Sequence, residues 1–213
     1  MSIDLGSRDE RLRSVFLFTG IGLTSNVYVI GENNITLIDA GNGSVANRII
    51  PKLQRLGLDA KSVRQLVLTH LHLDHVGGAT EITSKTPAKV LLFHEDVAIL
   101  DLDRARTAGL KDGDSVKTEK GPLTVVHTPG HTRGSICLFD EKRRILFSGD
   151  TVFSGGSFGR CDLENGGIQD MIVSLERLSK LEVDALLPGH GDCVLRRASA
   201  HIQMSLESAK EYV

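Results

Sequence analysis

The chain has 213 residues, 40% of them hydrophobic, which is enough for one large domain with a real core, and the sequence reads as a single domain over 1–213. Twenty-five basic residues against 27 acidic ones give a formal net charge of -2, so no global field calls for nucleic acid or an anionic membrane surface. The opening stretch MSIDLGSRDERLRSVF is polar where a secretory signal carries an apolar core, and apolar runs such as VLLF are too short to cross a bilayer. The expectation is a cytoplasmic protein with neither a nucleic-acid nor a membrane partner, its oligomeric state left open. Cys137, Cys161 and Cys193 are odd in number and far apart, so they read as reduced thiols, not as a disulfide framework or a thiolate metal site.

The first predicted elements are β-strands: SVFLF (Ser14 to Phe18), NVYVI (Asn26 to Ile30) and ITLIDAG (Ile35 to Gly41), an antiparallel meander punctuated by Gly and Asn. Val45, Ile49, Leu53 and Leu56 then fall at helical spacing between Ser44 and Leu56, with Gly57 as the stop. QLVLTH (Gln65 to His70) reads as a buried strand, VGGATEITSK as a short helix and AKVLLF (Ala88 to Phe93) as a strand. Glu95 to Thr107 reads as a helix closed by Gly109. A second set of strands follows, LTVVHT, SICLFD and RILFSGD, with DEKRR (Asp140 to Arg144) as a solvated hairpin tip. The last third offers a helix from Ile168 to Lys180, a strand DALLPGH (Asp184 to His190) and a helix from about Arg196 to Lys210. Strands then helices twice over fit two β-sheets with helices on both outer faces.

Four strand ends carry the chemistry. QLVLTH runs into HLHLDH, which sets His70, His72, Asp74 and His75 within six positions. A strand leaving through a turn can place His70 and His72 on one side, with Asp74 and His75 around a neighbouring point. Three more strands end in a potential ligand beside glycine: His131 in VVHTPGHTRGS, Asp150 in ILFSGDTVF and His190 in ALLPGHGD. Neutral imidazole and carboxylate suit Zn, Fe(II) or Mn(II). His94, His127 and His201 lack this context and read as structural or exposed. Asp39 reads either as a support for a ligand histidine or as a turn-forming aspartate before Gly41. Arg160 reads either as a substrate-carboxylate clamp or as a partner of Asp162. Thr69 and Thr128 read as orienting groups or as ordinary strand threonines, and Cys161 has no activating base in view.

From NVYVI and LIDAG through His-X-His-X-Asp-His at residues 70 to 75, then HTPGHTRGS, SGDTVF and PGHG, the chain resembles the metallo-β-lactamase superfamily over nearly its whole length. The resemblance implies an αββα sandwich with two mixed β-sheets. It further implies two divalent metal ions, zinc first with iron or manganese as alternatives. His70, His72 and His131 would bind one ion, Asp74, His75 and His190 the other, and Asp150 would bridge. Divalent ions so placed bring a water toward a pKa near ~7, so no Ser or Cys nucleophile is needed, and Asp74 is the residue most directly tied to catalysis. Among the branches, the motifs resemble short glyoxalase II-like hydrolases acting on a small-molecule thioester or related acyl substrate, without the C-terminal helical region by which longer members hold glutathione. The alternative branch is similar to persulfide dioxygenases, which share a GRxD segment, here GRCD, and use one iron held by two His and one Asp.

Overall fold

The computed structural model describes residues 2–212, which divide into two compact units, residues 2–110 with 117–122, and residues 111–116 with 123–212. In the first unit a seven-stranded sheet runs in sequence order. Its strands are β1 (Ser2–Asp4), β2 (Val15–Phe18), β3 (Val27–Ile30), β4 (Ile35–Ile38), β5 (Val63–Val67), β6 (Lys89–Phe93) and β7 (Thr107–Leu110). Pairing is antiparallel from β1 to β4 and parallel from β4 to β7, so the expected meander opens the sheet. The inner strands β3 and β4 are buried at every position, as their mostly apolar sequences VYVI and ITLI require.

Helices α1 (Ile49–Arg55) and α3 (Ala79–Lys85) contribute Ile49, Ile50, Leu53, Ala79 and Ile82 to a core with Val29, Leu37, Leu66 and Val90. Gly57 ends the first of these with φ +74, and the amides of Gly57 and Leu58 return to the carbonyls of Gln54 and Leu53, each at 3.0 Å. The left-handed glycine thus closes both orphan carbonyls, as the sequence led one to expect. Val45 departs from the expectation. It lies exposed in a separate 3-10 turn, because Arg48 is extended (ψ 130) and breaks the helix ahead of Ile49.

The expected helix from Glu95 to Thr107 is likewise replaced, here by two 3-10 turns, His94–Ala98 and Arg104–Arg106, followed by β7. The Arg106 guanidinium accounts for the difference. It donates to the carbonyls of Thr83, Thr86 and Ala88 at 2.5, 2.6 and 2.7 Å, which pins the segment beside the end of α3. Gly109 is a strand residue and not a helix stop; a Cβ there would stand 2.8 Å from Cα of His94.

The second sheet has five strands in the order β12-β11-β10-β9-β8. These are β8 (Ser115–Thr118), β9 (Gly121–His127), β10 (Ile136–Asp140), β11 (Ile145–Gly149) and β12 (Ala185–Pro188). The β9, β10 and β11 pairings are antiparallel, and β11 and β12 run parallel. Opposite Leu187 and Pro188, β11 carries Phe147 and Gly149, so one extra residue, Ser148, is accommodated as a bulge. Helices α4 (Ile168–Leu178) and α5 (Ala198–Glu211) bury Met171, Leu175, Leu178, Ile202 and Leu206 with Cys137, Leu146 and Leu186. DEKRR is a turn, as expected, in which Arg143 pairs with Asp140 at 2.6 Å. Among the described residues no helix is long and apolar enough to cross a membrane.

Candidate metal centre

In the first unit the motif begins where β5 ends. His72 is in extended backbone, and Leu73–Val76 forms one short helix, α2, where the sequence suggested only a turn. The close quarters are set by backbone against backbone. The amide of Ala40 donates to the His75 carbonyl at 2.7 Å and that of Gly78 to Gly41 at 3.2 Å. A Cβ on Gly78 would overlap the Ala40 carbonyl oxygen, so the GG of HVGG is a steric requirement of the loop.

His70 Nε2 and His72 Nδ1 come within 3.1 Å, and His75 Nε2 lies 3.7 Å from Asp74 Oδ2. Asp39, buried at the end of β4, organises the group. Its Oδ1 accepts from the Thr69 amide at 2.8 Å, and its Oδ2 accepts from Thr69 Oγ1 at 2.9 Å and from His75 Nδ1 at 2.8 Å. Thr69 Oγ1 is also 3.1 Å from His70 Nδ1. A carboxylate only accepts, so His75 Nδ1 carries its proton; Thr69 spends its own proton on Asp39, so His70 Nδ1 donates to Thr69. Both imidazoles thereby present Nε2 as a lone pair, the form that binds a metal ion.

In the second unit His131, Asp150 and His190 follow β9, β11 and β12. Asp150 Oδ2 lies 3.5 Å from Nε2 of His131 and 3.5 Å from Nε2 of His190. His131 Nδ1 donates to the Arg160 carbonyl at 2.8 Å, which again fixes Nε2 as the acceptor atom. Two ligand atoms about 2.05 Å from one ion at a tetrahedral angle stand about 3.3 Å apart. The separations of 3.1 to 3.7 Å within each unit, together with nitrogen and oxygen donors in these tautomers, therefore fit a divalent ion.

Other residues sort differently. The Arg160 side chain is exposed and forked onto Asp162 at 2.9 and 3.0 Å, so its link to the site runs through its carbonyl and not its guanidinium. Thr128 bonds Thr151 Oγ1 at 2.9 Å within the second unit. His127 donates to the Arg133 carbonyl, and His201 Nδ1 accepts from the Gly155 amide at 2.8 Å, both structural uses. Gly159 is a residue sequence reasoning passed over. A Cβ there would overlap the Asp150 carbonyl oxygen and stand 2.9 Å from the His131 ring. Gly159→Ala is expected to cost about 2 kcal/mol or more of stability and to lower metal retention. Denaturant midpoints and metal content of the purified variant would check both.

Burial, helped by the neighbouring Asp162 charge, pushes the Cys161 thiol up to about 11, so little of it is thiolate near neutral pH. Cys161→Ser should keep most of the turnover; a folded, metal-loaded variant without activity would restore cysteine as a nucleophile.

Comparison with known proteins bears on this arrangement. The sequence model of the metallo-beta-lactamase superfamily matches residues 20–190. The chain is 28% identical over 199 residues to the beta-lactamase-like protein 2 homolog of Caenorhabditis elegans, covering 89% of this chain and 64% of that protein, just under two thirds of its length. It is 32% identical over 207 residues to the acyl-coenzyme A thioesterase MBLAC2 of Gallus gallus, covering 79% of this chain and 73% of that one. A metallo-beta-lactamase family protein of Thermus thermophilus superposes with a TM-score of 0.75 at 21% identity, over 93% of this chain and 80% of its own. That likeness speaks for the fold alone, the αββα class with two mixed sheets expected above.

Proposed function

Since the chain belongs to the metallo-beta-lactamase superfamily, we propose that it is a metal-dependent hydrolase that cleaves a thioester or related small acyl substrate in the manner of the short glyoxalase II-like enzymes. The observation that carries the reading is the Asp39–Thr69 network, which sets His70 and His75 in the ligand tautomer ahead of any ion. In this reading the ligands would be His70, His72, Asp74 and His75 from the first unit and His131, Asp150 and His190 from the second, with zinc as the first choice of divalent ion. The acyl-coenzyme A thioesterase named among the relatives supports the substrate class.

Bound ions would activate water near neutral pH and polarise the acyl oxygen. The chain's own part is orientation and proton transfer. Asp74, at the start of α2 with its side chain 30% exposed, would offer one carboxylate oxygen to a bound ion and the other to the attacking water. Attack at the carbonyl carbon breaks the C–S bond; the proton passes by way of the Asp74 carboxylate to the departing sulfur, giving carboxylic acid and thiol. Asp39 and the Arg160 carbonyl accept from Nδ1 of His75 and His131, which orients both rings with Nε2 as the ligand atom.

The test is metal content of protein purified without added metals, in air and anaerobically, with hydrolysis of S-lactoylglutathione and of acyl-coenzyme A on the same samples. About two Zn, Fe or Mn per chain with thioester cleavage is expected. One iron per chain, no cleavage and persulfide-dependent oxygen uptake would replace the hydrolase with the dioxygenase.

A further inference from the structure

Resting on the thioesterase reading, we propose that the acyl group is an extended apolar chain, recognised in the first unit by Ile21, Leu23, Val45 and Leu73. Among the described residues eight large apolar side chains are exposed, and these four are half of them, at 70%, 89%, 76% and 74% exposure. Single exposed apolar residues need no explanation; a group around one functional loop does.

Backbone bonds bring the segments that carry them together. The Ser25 amide donates to the Asp74 carbonyl at 3.1 Å, so Leu23 and Leu73 flank one hydrogen bond, two residues before its donor and one before its acceptor. Asn42 laces in the third segment. Its amide donates to Thr24 Oγ1 at 3.0 Å, its Nδ2 to the Leu23 carbonyl at 2.7 Å, and its Oδ1 accepts from the Ser44 amide at 3.1 Å and Asn47 Nδ2 at 3.2 Å. The turn bearing Val45 is thereby fastened to the loop bearing Ile21 and Leu23. Thr24, Asn42, Ser44 and Asn47 spend their polar groups on one another and on backbone, while Ile21, Leu23, Val45 and Leu73 on the same linked segments are exposed.

A short, hydroxylated acyl group would be met by donors and acceptors; this rim offers methyl groups. An alkyl chain leaving the scissile carbonyl would remove both its own surface and that of the leucines from water. Each fully covered methylene is worth up to about fourfold in affinity. No charged side chain is needed for this step, so the preference should be insensitive to salt.

The experiment uses non-hydrolysable S-ethyl and S-octyl thioethers of coenzyme A, with binding measured by calorimetry on the full chain and on the Ile21→Ser/Leu23→Ser double variant. Both substituted positions are exposed, and neither belongs to the metal-binding set. The expected result is S-octyl binding at least about tenfold tighter than S-ethyl to the native chain, with the ratio falling toward one in the variant. Equal affinities for the native chain, or a ratio the variant leaves unchanged, would overturn the proposal. Should the rim instead cover a second copy of the chain, the variant would alter the sedimentation coefficient and not the ratio, which also overturns it. Hydrolysis of the matching acyl thioesters reports separately on the thioesterase reading, since thioether binding is read whether or not cleavage occurs.

Discussion

Asp74→Ala lowers thioester turnover by about a thousandfold, within the range for loss of a positioned proton-transfer group that also helps hold a catalytic ion. The fold should survive. What Asp74 gives the scaffold is its backbone carbonyl, which accepts from the Ser25 amide at 3.1 Å and persists in the variant. Its side chain is part-exposed. Steady-state kinetics with metal quantified on each sample would check this. Near-normal hydrolysis by the variant would remove the two-ion reading and the proton-transfer role together.

Asp39→Ala should instead lose stability and metal together. The carboxylate is buried and accepts from the Thr69 amide, Thr69 Oγ1 and His75 Nδ1, while His75 itself is fully buried. Removing it strands several buried donors, a cost of about 3 kcal/mol or more. The backbone adds to it: Asp39 sits at φ +61, where aspartate is tolerated and alanine pays about 1 kcal/mol. With the tautomers of His70 and His75 no longer fixed, metal affinity should fall about 10- to 100-fold. Asp39→Asn separates the effects, since asparagine accepts the left-handed backbone but offers His75 a poorer acceptor. Chemical denaturation and metal competition titrations would measure both quantities; an alanine variant with native metal affinity would reduce Asp39 to a turn residue.

The strands on which the candidate ligands follow were legible because each is a short apolar run that ends in glycine next to His or Asp, as at β11 and β12, or runs straight into the histidine cluster, as at β5. What escaped was decided by partners distant in sequence. Nothing in residues 95–107 announces that Arg106 will cap three carbonyls near α3, and that tertiary demand overrode a segment of acceptable helical spacing. Val45 matched the apolar period of α1, yet Arg48 ended the register first. In the candidate site the reading reached Asp39 as one of two possibilities, because the motif order is local but its bond to His75 spans 36 residues. Arg160 was weighed by its side chain when its carbonyl was the contributing atom, a role any residue type can fill and no composition can signal.

The bulge at Ser148 makes the position of Asp150 a matter of counting as well as chemistry. Along a strand each added residue reverses the side on which the next side chain emerges, so a single deletion in β11 would change the parity of everything after it. A chain lacking Ser148 would keep every candidate ligand and nearly the same composition, yet would turn the Asp150 carboxylate from the imidazoles of His131 and His190 that it now meets at 3.5 Å. Changes of length in this strand are therefore far less forgiving than changes of residue type, and a relative could carry the whole set of donors in order and still be unable to assemble them.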